Sequence, residues 1–92
     1  MKLTLYTRPT CSDCQQAKKY LKEESIPYTE IDLSNQPDKE GELRAVTGTG
    51  IVPAFVFSKQ LFFGIKVKRD VYIGFERNEA AVRKLSQAIK SG

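Results

Sequence analysis

Apolar and polar positions alternate from residue 2 to residue 7, with Leu3 and Leu5 on one face and Thr4 and Tyr6 on the other. Period-two spacing of this kind predicts a strand. Arg8-Pro9-Thr10 breaks the pattern and makes a turn, since Pro9 cannot donate to a continuing ladder. From Ser12 to about Glu24 the composition turns helix-forming, with Cys14, Ala17 and Leu21 on one stripe. Gln15, Lys18, Lys19 and Lys22 fall largely elsewhere. Ser25 to Pro27 ends this helix, because the residue before a proline is pushed out of helical geometry.

Tyr28 to Leu33 alternates again, imperfectly, and predicts a second strand. Ser34 to Pro37 is a helix start, with Asn35 or Ser34 as cap and Pro37 in the first turn. The helix is expected to run through Leu43 and Val46 to Thr47 and to stop at Gly48. Gly41 inside it costs up to ~1 kcal/mol relative to alanine. Thr49 to Pro53 is a turn, and Ala54-Phe55-Val56-Phe57 reads as a strand buried on both faces. A proline just ahead of a central strand is accommodated by a cis peptide bond. Ile65 to Ile73 is a further strand ending at Gly74. Asn78 to Lys90 is a helix capped by Asn78, with Ala81, Val82, Leu85, Ala88 and Ile89 at helical spacing.

The element order constrains the topology. A strand-helix-strand start calls for a right-handed crossover and a parallel pair, and two successive late strands form an antiparallel hairpin. An α/β fold follows, with a mixed four-stranded sheet flanked by about three helices in one domain over residues 1–92. The loop after the first strand lies at the end of the sheet where sites are usually built.

Composition narrows the class. With 40% hydrophobic and 28% charged residues the chain has the balance of a soluble globular protein. No apolar run is long enough to span a bilayer and the N-terminus has no basic-then-apolar leader pattern, so a cytoplasmic location without membrane association is expected. The net charge of +4 is spread along the chain and gives nucleic-acid binding little support. The absence of histidine rules out a Ser-His-Asp arrangement, and Gly48-Thr49-Gly50 lacks the lysine and the preceding strand of a phosphate loop.

Cys11-Ser12-Asp13-Cys14 carries the candidate chemistry. A short turn delivers Cys11 to a helix start, where first-turn amides and the helix dipole favour the thiolate. Cys14, one turn on, is placed to form a disulfide with it. Zinc is the first competing reading, but two cysteines and no histidine leave a site short of ligands. A structural disulfide closing so small a loop removes little chain entropy. A pair of inert thiols is the third alternative, and redox chemistry is favoured over all three.

The stretch Leu5-Tyr6-Thr7-Arg8-Pro9-Thr10-Cys11-Ser12-Asp13-Cys14, followed by Ala17-Lys18 and Leu21, resembles the first strand and active-site helix of the glutaredoxin branch of the thioredoxin superfamily. Thr47-Gly48 with Ile51-Val52-Pro53 resembles the family's cis-proline loop, and Gly74-Phe75 the glycine after its last strand. The resemblance covers about residues 1–57 and 71–90. It implies a thioredoxin-like fold and a monomeric dithiol electron carrier, with Cys11 as nucleophile and Cys14 as resolving thiol. It also implies that Val52, ahead of Pro53, offers its backbone to a bound peptide or glutathione. Arg8, Asp13, Gly74 and Phe75 become candidate contacts for glutathione, the expected co-substrate; no tightly bound cofactor or metal is expected.

Two departures from the family pattern bear on function. Ser12-Asp13 stands where glutathione-using members often have Pro-Tyr, and Asp13 is read as an exposed first-turn residue favourable to the dipole. Gly74-Phe75 is closer to the ribonucleotide-reductase-linked redoxins, whose electrons come from thioredoxin reductase. Expected partners are therefore protein disulfides, glutathione or thioredoxin reductase, and ribonucleotide reductase among the substrates. The hairpin near 58–71 is longer than the family's tight turn. Phe62 and Phe63 are expected to fill the core, with a protein-docking patch as the alternative. A non-catalytic adaptor, redox-sensing or metal-binding, is the rival function.

Overall fold

The computed structural model, which describes residues 1–61 and 66–91, contains four strands and three α-helices. The strands are β1 (Lys2–Thr7), β2 (Thr29–Asp32), β3 (Ala54–Leu61) and β4 (Lys66–Ile73), and the helices are α1 (Ser12–Glu23), α2 (Glu40–Thr47) and α3 (Glu79–Ser91). The sheet order is β2-β1-β3-β4. β1 pairs in parallel with β2 and antiparallel with β3, and β3 pairs antiparallel with β4. This is the mixed sheet that the element order predicts. Strands β1 and β3 occupy its centre, which explains why Ala54-Phe55-Val56-Phe57 is apolar on both faces.

Period-two alternation sorts the core into two layers. Leu3 and Leu5 of β1 and Phe55 and Phe57 of β3 share a face with Ala17, Tyr20 and Leu21 of α1 and Val82 of α3. Tyr6, Ile31, Ala54 and Val56 lie on the other face with Leu43, the one buried residue of α2. Burying side chains such as Leu5, Leu21 and Phe55 contributes roughly 1.5–3 kcal/mol each before the entropy of ordering is counted. The α1–α3 layer holds the larger share of the buried side chains. Rings of Tyr20, Phe55 and Phe75 meet there with centroids 5.7 and 6.0 Å apart.

Several element ends differ from their sequence expectations. β2 is shorter than Tyr28 to Leu33, with Tyr28 packed against the core just ahead of it. Helix α2 is entered through a 3-10 turn, Pro37–Lys39, and neither Ser34 nor Asn35 caps it. Asp32 instead accepts from the Ser34 N–H at 2.9 Å and its hydroxyl at 2.7 Å, making a local turn that uses up the capping group. Asn78 likewise does not cap α3. It closes a 3-10 turn, Glu76–Asn78, and its Nδ2 donates to the carbonyls of Ile73 and Gly74.

Gly48 does terminate α2. Its left-handed φ of 79° lets its N–H reach the Arg44 carbonyl at 2.8 Å. β3 continues beyond Phe57 to Leu61, because backbone pairing with β4 holds Ser58 and Lys59 in the ladder after the apolar run has ended. The expectation for Phe62 and Phe63 lies outside the described residues. Among those described, no helix is long and apolar enough to cross a membrane.

Candidate functional site

Where β1 runs out at Thr7, the chain turns through Arg8 to Thr10 and the Cys11 N–H donates to the Arg8 carbonyl at 3.2 Å. Cys11 then serves as the N-cap of α1, with extended backbone, and its Sγ accepts from the Cys14 N–H at 3.1 Å. A cysteine sulfur occupies the place of the usual capping hydroxyl or carboxylate, facing the amides of the first turn. That position favours negative charge on sulfur. The two cysteines are joined as a disulfide with their Cα atoms 5.2 Å apart. Cys14 is wholly buried while Cys11 remains half-exposed, so Cys11 is the residue a partner can approach.

Facing the disulfide is the Ile51-Val52-Pro53 loop. The Val52–Pro53 peptide is cis, as the sequence pattern predicts, and the Cys11 Sγ lies 3.8 Å from the Val52 carbonyl oxygen. Pro53 is buried and Val52 half-buried. Ile51 stands 60% exposed, one of two large apolar side chains left in solvent among the described residues. A third loop closes the group, with the Gly74 N–H donating to the Pro53 carbonyl at 2.8 Å. Gly74 has a φ of +93°, a conformation that disfavours any residue with a Cβ.

Asp13 corrects the expectation of a solvated first-turn acid. It is half-buried, and its carboxylate accepts from the Phe75 N–H at 2.7 Å and the Glu76 N–H at 3.2 Å. These are orphan donors at the start of the Glu76–Asn78 turn, which has no side-chain cap of its own. Asp13 therefore caps a segment sixty-two positions away along the chain. The Phe75 ring is core, packed between Tyr20 and Phe55, and only its amide faces the site.

Arg8 is engaged as well. Its Nη2 donates to the Gly50 carbonyl at 3.1 Å and its Nη1 pairs with Glu40 at 2.5 Å. Hydrogen bonding from Arg8 holds the Glu40 carboxyl below the usual glutamate range. The structure thus brings Arg8, Cys11, Asp13, Cys14, Val52, Pro53, Gly74 and Phe75 into one cluster of loops, and turns Arg8 and Asp13 towards the protein itself. Glu40, Gly50 and Glu76 belong to the cluster without having been expected there. Thr7, buried at the end of β1, donates to Glu30 at 2.8 Å, and Lys18 joins the same carboxylate at 3.1 Å. The parallel register sets Glu30 opposite Leu5, and nothing in the sequence pattern points to these side-chain partners.

A family model described as Glutaredoxin matches residues 3–62. The uncharacterized protein YusI of Bacillus subtilis is 32% identical over 75 residues, which is 78% of this chain and 64% of YusI. The global transcriptional regulator Spx of Enterococcus faecalis is 41% identical over 44 residues, 48% of this chain. The match spans only 33% of that Spx protein. Among solved structures, the thioredoxin-like protein BC3987 superposes with a TM-score of 0.64 at 24% identity, covering 94% of this chain and 96% of that one. Trichomonas vaginalis thioredoxin gives 0.61, also at 24% identity, over 90% of this chain and 77% of its own. Likeness at that identity speaks to the thioredoxin-like fold alone.

Proposed function

The chain belongs to the glutaredoxin family, and on that footing we propose that it is a thiol-disulfide oxidoreductase whose Cys11–Cys14 dithiol reduces protein disulfides. The observation that carries this reading is the asymmetry of the pair: a half-exposed Cys11 capping a helix, over a Cys14 fully enclosed behind it. In the reduced protein the Cys11 thiolate attacks one sulfur of a substrate disulfide. A Cys11–substrate disulfide forms, the substrate S–S bond breaks, and the other substrate sulfur leaves as thiolate and takes a proton. Cys14, deprotonated in turn, attacks the Cys11 sulfur and releases the second substrate thiol. Two electrons have passed to the substrate, and the protein is left with the disulfide described above.

Val52 and Ile51 are suited to a polypeptide substrate. The cis-proline loop presents backbone at Val52 for strand-like pairing with an extended segment, and Ile51 offers an apolar contact beside the sulfur. The electron donor that regenerates the dithiol is either reduced glutathione, two molecules of which become one glutathione disulfide, or a thioredoxin reductase. The similarity to Spx favours a second reading, in which the same dithiol serves as a redox-sensitive element of a regulator.

One set of assays separates them. NADPH consumption by the oxidised protein is followed with glutathione and glutathione reductase, and separately with thioredoxin reductase alone. Turnover of a protein disulfide is expected with at least one donor. Cys11→Ser should abolish it, and Cys14→Ser should accumulate a mixed disulfide with the substrate. Retained activity in Cys11→Ser would overturn the mechanism, and absence of turnover with both donors would move the regulator to the front.

A further inference from the structure

Asp13, Glu76 and Arg77 line an open depression next to the disulfide. Two backbone amides, those of Phe75 and Glu76, converge there on a single carboxylate, and that carboxylate belongs to the protein. Convergent amides at the start of a helical segment are complementary to a carboxylate, which here arrives from the first turn of α1. Being tethered, it competes with any free carboxylate at an effective concentration on the order of millimolar or above. The depression also carries two negative side chains against one positive, so an approaching anion meets like charge.

We propose that Asp13 is a specificity-determining residue. It keeps the Phe75 and Glu76 amides filled, so that this flank of the site gives no anchor to a substrate carboxylate. The site then selects polypeptide disulfides, held by the Val52 backbone and Ile51, over small acidic disulfides such as glutathione disulfide. This rests on the oxidoreductase reading for its substrate class, but the closure of the amide pair is a property of the oxidised protein and is tested without turnover.

The probe is S-methylglutathione, which has the carboxylates of glutathione and no free thiol, compared with its dialkyl ester. Binding to the oxidised protein is followed by amide chemical shifts. The wild-type protein should bind acid and ester about equally weakly, with Phe75 and Glu76 unmoved. In Asp13→Ala the acid should gain at least tenfold over the ester, about 1.4 kcal/mol, with saturable shifts at those two amides.

Should Asp13→Ala not fold, Asp13→Asn keeps one acceptor for the amides and should show a smaller gain in the same direction. Glu76→Gln removes a charge from the same depression without freeing the amides and should leave their shifts unmoved by the acid. The proposal fails if the folded Asp13 variants show no gain, if the wild-type amides already respond to the acid, or if Glu76→Gln gains as much as Asp13→Ala. Loss of disulfide reductase activity would defeat the functional reading and leave this readout standing, whereas unresponsive amides would leave the reductase in place.

Discussion

The disulfide is held between two flanks built from different interactions. On the α3 side, one carboxylate accepts from two backbone amides at 2.7 and 3.2 Å, and the glycine before them is bonded to Pro53. On the α2 side, the contacts run through one long side chain: Arg8 pairs with Glu40, each about one-third exposed at 35% and 34%, and donates to the Gly50 carbonyl at 3.1 Å. Carboxylate-to-amide capping satisfies donors that would otherwise go unpaired, and its removal is felt. An ion pair at the surface is offset by the entropy of holding two flexible side chains and by salt. One flank is firm and the other yields. The exposed Ile51 follows Gly50, whose carbonyl Arg8 bonds on this yielding side.

The largest stability effect is therefore expected from Asp13→Ala. Leaving the Phe75 and Glu76 amides without a partner should cost about 2 kcal/mol. For a domain of this size that lowers Tm by roughly 8–16 °C. Gly74→Ala acts on the same flank and should cost about 1–2 kcal/mol through the left-handed backbone alone. The new Cβ would also stand 2.8 Å from Arg77 Cδ, which a flexible side chain can relieve. Arg8→Ala should cost less than about 1 kcal/mol. Thermal unfolding of the three variants in the oxidised protein checks the order, and an Arg8 loss equal to that of Asp13 would erase the distinction between the flanks.

What the sequence disclosed follows the same division between local and distant causes. The strand through Leu3 and Leu5, the helix through Ala17 and Leu21, the stop at Gly48 and the cis bond before Pro53 rest on signals a few residues long. Burial of both faces of Ala54 to Phe57 was readable because a central strand leaves no polar position to alternate with. The partners of Asp13 and Arg8 were not. Asp13 finds its amides 62 residues away and Arg8 its carbonyl 42 residues away, so a charge beside the cysteines reads as free until the loops are brought together. Asn78 and Ser34 depart from their expected capping roles for a related reason. Both have the chemistry of a helix cap, but the Ser34 hydroxyl bonds Asp32 and the Asn78 amide donates back to the carbonyls of Ile73 and Gly74 instead.

The smallest expected effect is a titration, and it probes the yielding flank alone. Arg8 hydrogen-bonds Glu40 and holds its carboxyl below the ordinary glutamate range, while Glu42 is held low chiefly by Lys39 and then by the Tyr6 hydroxyl. A carboxyl depressed in the folded state binds fewer protons than in the unfolded chain across the window between the two values. Its contribution is therefore fully present above the unfolded glutamate value and is lost as pH falls through the folded one. Acidification should loosen the Arg8–Glu40 contact before the backbone ladder of the sheet is affected. Side-chain carboxyl shifts give the test directly. Glu40 should titrate low in the wild-type protein and rise towards the ordinary range in Arg8→Ala, where the weaker pull of Arg44 remains, with Glu42 unchanged in both. A Glu40 midpoint indifferent to Arg8 would mean that the ion pair does not persist in solution, and that α2 is held by the packing of Leu43 and the Tyr6–Glu42 hydrogen bond instead.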